Sequence, residues 1–218
     1  MSGILYAVGV GPGDPELLTL KAVKIMEKAE VIACPSKNNK PGVAYAIATQ
    51  ACPFLTSKEI LSLNFPMNKE NLSDAHKSAA ETIIAELATG KDVAFLTLGD
   101  PCLYSTFSYI SEMVKKAGYE TQVINGIPSF CAAAAKTGLS IAEGDDAVLI
   151  TAGEYKPFDG TLIIMKAGNK LKELKSQIQS CEKTAYLIEN CGMQDEKIYS
   201  GLDAIPDKSG YFSILIVK

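Results

Sequence analysis

Leu98-Gly99-Asp100-Pro101-Cys102-Leu103-Tyr104-Ser105-Thr106 is the stretch from which the fold of this chain can be read outward. It follows Val93-Ala94-Phe95-Leu96-Thr97, a short apolar run that predicts a buried strand. Gly99 lets the backbone turn sharply or pass close to a ligand. Pro101 fixes its own φ and keeps Asp100 out of helical geometry. Asp100 therefore belongs at the carboxyl end of a strand, where open α/β sheets bind their ligands. A capped strand-turn-helix corner accounts for the same residues structurally, so the neighbouring segments decide between the two.

Strand-like and helix-like runs alternate on both sides. Before the stretch come a strand at 4–10, a helix at 19–29, a strand at 30–33, a helix at 43–51, a strand at 59–63 and a helix at 72–89 closed by Gly90. Ala22, Ile25, Met26 and Ala29 fall at i, i+3, i+4 and i+7, the stripe of an amphipathic helix. After it come a helix at 104–117, a strand at 120–124, a small-residue helix at 129–137 and strands at 147–151 and 161–165. A lysine-rich helix at 170–179 and strands at 185–188 and 211–217 complete the pattern. This alternation predicts α/β layers. The polar segment 115–121 contains Gly118 and separates an N-terminal α/β domain, 1–116, from a C-terminal one, 117–218.

Composition narrows the function. The 218 residues are 47% hydrophobic, enough for a sizeable core. Every one of the 21 basic residues is lysine, and the net charge is −4. Without arginine forks, and with that charge, a nucleic-acid partner is not expected. An anionic small molecule held by lysines and backbone amides stays open. No apolar run reaches the roughly 18 residues needed to span a bilayer, and no membrane partner is expected. The first residues lead into a strand with no basic segment ahead of it, so no signal peptide is expected. The six cysteines, Cys34, Cys52, Cys102, Cys131, Cys181 and Cys191, show no CxxC and no nearby histidine. They predict reduced thiols in a cytoplasm, with no metal site and no disulfide framework. His76, beside Lys77 in a polar helical stretch, reads as a solvated surface residue.

Other strand ends carry turn residues of their own. Gly9-Val10-Gly11-Pro12-Gly13-Asp14-Pro15 follows the first strand. Its spacing is G-x-G-x-G rather than the dinucleotide fingerprint, and Pro12 removes an amide that a pyrophosphate would use. That argues against an NAD(P)-dependent oxidoreductase. Asp14 is placed to cap the next helix, with Pro15 at its first position. Asn125-Gly126-Ile127-Pro128-Ser129-Phe130 joins a strand to the alanine-rich helix, which Ser129 can cap. Met165-Lys166 and Glu189-Asn190-Cys191-Gly192 close two later strands, and Asn64-Phe65-Pro66-Met67 reads as a loop with apolar anchors.

Taken together, these segments resemble the tetrapyrrole (corrin/porphyrin) methyltransferase family, nearly end to end. The resemblance rests on Val8 to Ala22, Leu98-Gly-Asp-Pro, Gly126-Ile-Pro-Ser-Phe and Ile164-Met-Lys. Phe65-Pro-Met, Leu98 to Thr106, Ile127 to Ala134 and the closing Tyr211 to Lys218 are most similar to the branch acting at C20 of precorrin-2 or cobalt-precorrin-2. The resemblance implies two α/β domains of the tetrapyrrole methylase type with S-adenosylmethionine in the cleft between them, a homodimer, and a small-molecule tetrapyrrole substrate. It implies cofactor contacts at Pro12, Leu98, Gly99, Asp100 and Leu103, with Tyr104, Ser105 and Thr106 just beyond. Ser129, Phe130, Met165, Asn190 and Cys191 complete that set, Cys191 standing where relatives often carry Gly or Ala. A substrate with many carboxylates would find candidate partners in Lys37, Lys40, Lys166 and Lys170. Asp100, Tyr104 and Glu189 are candidates for a base that takes the proton a methylated carbon sheds, with none assigned. Uroporphyrinogen methylation, methylation at another corrin carbon, an rRNA or diphthamide methyltransferase, and a non-catalytic tetrapyrrole carrier stand as alternatives.

Overall fold

Leu5 to Val8 offer water almost no polar surface, and the strand they open, β1 (Leu5–Gly9), is buried at every residue. The computed structural model describes residues 2–37, 40–65, 72–180 and 182–218. From β1 the chain runs through α1 (Leu20–Lys28), β2 (Val31–Lys37), β3 (Lys40–Pro41), α2 (Val43–Ala51) and β4 (Glu59–Asn64). It continues through α3 (Leu72–Ala88), β5 (Val93–Thr97), α4 (Phe107–Lys116) and β6 (Thr121–Ile124). Strands β4, β2, β5, β1 and β6 lie parallel in that order, and β3 folds back antiparallel on the end of β2.

Side chains alternate across this sheet, and both faces are covered, as a parallel sheet requires. Leu5, Ala7, Val93 and Phe95 pack with Ile83 and Leu87 of α3 and Ile110 and Val114 of α4. Tyr6, Val8, Ala94 and Leu96 pack on the other face with Ala22 and Met26 of α1 and Ile47 of α2. Thr19 caps α1 by accepting the Ala22 N–H at 3.2 Å. Lys58 closes the far end of α1, donating to the carbonyl oxygens of Glu27 at 2.7 Å and Ala29 at 2.5 Å, where a cation suits the helix dipole.

Three expectations are corrected in this unit. His76 is buried rather than solvated, stacked on Tyr109 of α4 at 4.9 Å between ring centroids and tilted against Phe65 at 5.8 Å. The fourth helix starts at Phe107, not at 104, because Tyr104 adopts a left-handed φ of 49° that no helix accepts. The boundary moves as well. β6 pairs with β1, so it belongs to the first sheet, and the first compact unit is Met1–Pro128 rather than 1–116.

The second unit is Ser129–Lys218. It holds α5 (Ser129–Thr137), β7 (Val148–Ala152), β8 (Thr161–Met165), α6 (Leu171–Ile178), β9 (Ala185–Glu189), β10 (Lys197–Ser200) and β11 (Ser213–Val217). The sheet order is β10-β9-β11-β8-β7, with β7 and β8 parallel and the other pairs antiparallel. Leu171, Leu174 and Ile178 of α6 bury against Leu162, Ile164, Leu187 and Leu215. Because β8 and β9 both run opposite to β11, strands β7, β8 and β9 point the same way. Ala152, Met165 and Glu189 therefore end at one edge of the sheet, beside Ser213 at the start of β11.

Candidate functional site

In the first unit, three turns at the carboxyl ends of β1, β5 and β6 touch backbone to backbone. Val10 N–H donates to Thr97 O at 2.9 Å, and Gly11 and Gly99 exchange N–H···O bonds at 3.3 and 2.7 Å. A methyl group on Gly9 would lie 2.5 Å from Gly126 N and 2.7 Å from Gly99 O. A methyl group on Gly126 would strike Gly99 O and the backbone of Gly9. Glycine at 9 and 126 is what allows the three turns to close, and Gly99 takes a left-handed φ of 72°.

Asp100 ties these turns together. Its side chain is buried, and both carboxylate oxygens are engaged. Oδ1 accepts the Cys102 N–H at 2.7 Å, an Asx turn that aims the chain towards Leu103. Oδ2 accepts the Gly126 N–H at 3.0 Å and the Asn125 Nδ2–H at 3.1 Å. Beyond Asp100, Ser105 Oγ accepts the Phe107 N–H at 3.1 Å and lies 3.5 Å from Thr97 Oγ1, fixing the start of α4. Pro12 is buried within the first turn. Asp14 caps a short 3₁₀ turn, Pro15–Leu17, by accepting the Glu16 N–H at 2.9 Å, and α1 has its own cap in Thr19.

The turns of the second unit are built differently. Gly153 N–H donates to Met165 O at 2.7 Å, and Asn190 N–H donates to Phe212 O at 2.8 Å. Lys166 and Asn190 hold left-handed φ values of 57° and 50° without being glycine. With Tyr104 they are the non-glycine residues of positive φ among the described residues, and all three were named as site residues from the sequence. Such strain persists where the surroundings demand it, most often at binding sites. Lys166 Nζ sits 5.8 Å from the ring centroid of Tyr211, which is half exposed. Glu196 accepts the Gly192 N–H at 2.6 Å and pairs with Lys136 at 3.4 Å, holding the turn that contains Cys191. Burial, with Glu196 beside it and Lys136 opposing, pushes the buried Cys191 thiol up to about 11.

The site residues expected from the sequence thus fall into two sets. Pro12, Leu98, Gly99, Asp100, Leu103, Tyr104, Ser105 and Thr106 lie in the turns of the first unit or just beyond them. Met165, Asn190 and Cys191 lie on two strand ends of the second, whose helix α5 opens with Ser129 and the buried Phe130. Lys37 ends β2 and pairs with Lys40 of β3. Lys170 is exposed at the end of a 3₁₀ turn after Lys166. Pro66, Met67 and Cys181 lie outside the described residues. Asn125 as a partner of Asp100 was not expected, and an Asn-Gly pair at a strand end was its only local signal.

Parallel strands ending in glycine-built turns define an α/β protein of the kind that holds a small ligand at its strand ends. The chain belongs to the tetrapyrrole (corrin/porphyrin) methylase family, whose profile matches residues 4–204. It is 36% identical over 225 residues to a probable cobalt-precorrin-2 C(20)-methyltransferase of Methanocaldococcus jannaschii, spanning 98% of this chain and 95% of that one. It is 28% identical to a precorrin-2 C(20)-methyltransferase of a Sinorhizobium species, over 100% of this chain and 97% of that protein. Its fold is similar to that of uroporphyrin-III-C-methyltransferase from Thermus thermophilus, with a TM-score of 0.75 at 24% identity over 100% of this chain and 92% of that one.

Proposed function

We propose that the protein transfers a methyl group from S-adenosylmethionine to C20 of precorrin-2 or cobalt-precorrin-2, a carbon methylation in cobalamin biosynthesis. The observation that carries this reading is 36% identity to a relative of that name across nearly the whole of both chains. The donor is held by Pro12, Leu98, Gly99, Asp100, Leu103, Tyr104, Ser105, Thr106, Ser129, Phe130, Met165, Asn190 and Cys191. The chemistry of that set suits it. No side chain among them is basic, which leaves room for a cation and offers a diphosphate nothing. The hydroxyls of Ser105, Thr106 and Ser129 and the amide of Asn190 match a ribose and an amino-acid end, and Leu98, Leu103 and Met165 match an apolar ring.

Bound there, the donor supplies an electrophilic methyl on a positively charged sulfur. The protein's part is to hold the accepting carbon in line with the carbon–sulfur bond and to exclude water. Lys37, Lys40, Lys166 and Lys170 take the substrate's carboxylates. Cobalt, where present, belongs to the substrate. The protein works in this scheme as a cytoplasmic homodimer, and among the described residues no helix is long and apolar enough to cross a membrane.

Incubation of the purified protein with each of the two substrates and a 13C-methyl donor, followed by NMR of the product, tests the assignment. Label at C20 is expected. Label at another carbon, or transfer to uroporphyrinogen III alone, overturns it. Tetrapyrrole binding without turnover makes the protein a carrier. The lysine assignment predicts that Lys37→Ala and Lys166→Ala each raise the tetrapyrrole Kd about three- to tenfold and leave the S-adenosylhomocysteine Kd unchanged.

A further inference from the structure

We propose that Asn125 and Asp100 form a positioning pair for the methyl donor, resting on the reading that the first unit's turns hold it. The Asp100 carboxylate acts through the turn it clamps rather than by touching the donor. The clamp spans 25 residues of sequence and joins the β5 turn to the β6 turn through two N–H donors on one oxygen, Asn125 Nδ2 at 3.1 Å and Gly126 N at 3.0 Å. The other oxygen is engaged by Cys102 N at 2.7 Å. The β5 turn carries Leu98 to Leu103, and the β6 turn leads through Ile127 and Pro128 into Ser129 and Phe130. A bond that sets the spacing of these two turns sets the placement of the proposed donor contacts that the β5 turn carries. The backbone there has no slack to absorb an error, because Gly9, Gly99 and Gly126 already meet at van der Waals limits. The Asn125 carbonyl is held too, accepting from Thr19 Oγ1 at 3.4 Å, so α1 is tied to the same turn.

The chemistry of the clamp allows a test that a direct donor contact would fail. Asn125 is exposed, so its replacement opens no core cavity. Asn125→Asp sets a second carboxylate against Asp100 in place of the amide donor. At pH 8 the two repel, and at pH 5.5 one shared proton can restore a hydrogen bond between them. Asp100→Asn behaves otherwise. An amide has one oxygen where the carboxylate has two, so in either orientation its NH2 faces an N–H donor, and the fault does not titrate.

S-adenosylhomocysteine affinity is measured by calorimetry for wild type, N125D and D100N at both pH values, with circular dichroism as a fold check. Relative to wild type, N125D is expected to lose at least tenfold at pH 8 and to recover to within about threefold at pH 5.5. D100N is expected to lose a similar factor at both. N125D binding within twofold of wild type at pH 8, while D100N fails, makes Asn125 a bystander and Asp100 a direct ligand, and overturns the proposal. A pH-independent loss in N125D overturns it too. Should wild type itself bind no S-adenosylhomocysteine, the donor reading fails instead. The clamp is then judged by the thermal midpoint, which must rise on acidification in N125D relative to wild type; a midpoint that does not move rejects it.

Discussion

The strand-end turns of the first unit rest on one another at glycine, while those of the second are braced by side chains beside their main-chain bonds. Gly9, Gly99 and Gly126 bring three backbones into contact with no atom to spare. In the second unit, Lys166 and Asn190 hold left-handed turns at an energetic cost, and the geometry is kept by Glu196 on Gly192 N, Lys136 on Glu196, and a 2.7 Å bond between Ser209 and Ser213 hydroxyls. Where main chain rests on main chain, any added carbon is excluded, so substitution acts as a step. Where side chains hold a turn, the chain can shift by tenths of an ångström, and substitution acts as a slope.

The sharpest way to break this contrast is one methyl group in each unit. Gly126→Ala places Cβ against Gly99 O and is expected to destabilise the first unit by about 3 kcal/mol or more. Gly153→Ala in the second unit meets a left-handed φ of 68° but no clash, its nearest neighbour, Lys166 O, lying at an ordinary contact distance of 3.5 Å. It is expected to cost about 1 kcal/mol, the conformational term alone. Urea unfolding followed by hydrogen exchange in each unit reads both. Equal costs would remove the distinction.

Two buried thiols allow a pH comparison, one in each unit. Burial pushes Cys34 in β2 up to about 11, partly offset by the Gly42 N–H, and pushes Cys191 to about the same value. In the unfolded chain a thiol releases its proton near pH 8.5. The folded state therefore holds the proton more tightly, so stability is fully present below about pH 8.5 and is lost as pH rises towards 11. Cys34→Ala should flatten that loss in the first unit and Cys191→Ala in the second, each at the expense of a small cavity. If neither variant alters the slope of the urea midpoint between pH 8.5 and 11, the thiols do not contribute to it.

His76 gives the opposite sign. Burial lowers its pKa below the usual value, so the neutral ring is favoured in the fold. Its contribution is complete above about pH 6.5 and fades as acid protonates the ring between Phe65 and Tyr109. His76→Phe should keep the stack and remove the dependence between pH 6.5 and 5. An unchanged acid slope in H76F would falsify this account.

Local signals bound several elements. The spans 43–51, 93–97, 129–137 and 161–165 were bounded to the residue, because an apolar pattern and a glycine, proline or cap residue coincide at their ends. Longer-range facts were not in any window. β6 follows a polar, glycine-containing segment that reads as a domain boundary, and only its pairing with β1 assigns it to the first sheet. β10, Lys-Ile-Tyr-Ser, is an exposed edge strand with no apolar alternation to announce it. His76 owes its burial to Tyr109, 33 positions away on another helix. At the site, the glycines and Asp100 were visible, but the Asn125 bond depends on which strands are neighbours, and Tyr104 and Lys166 turn left-handed without the glycine that usually marks such a turn.

Lys166 shows the smallest expected effect and ties the contrast to function. A lysine at φ 57° costs about 1 kcal/mol relative to glycine. Its contact with the exposed Tyr211 ring returns about half of that. Lys166→Gly is therefore expected to relieve the backbone cost while weakening tetrapyrrole binding, and Lys166→Ala to weaken binding without that relief. A turn kept in strain for the sake of the amine it presents predicts that opposition. Were Lys166→Gly to lower the urea midpoint and leave tetrapyrrole affinity intact, the lysine would be holding the turn rather than a carboxylate.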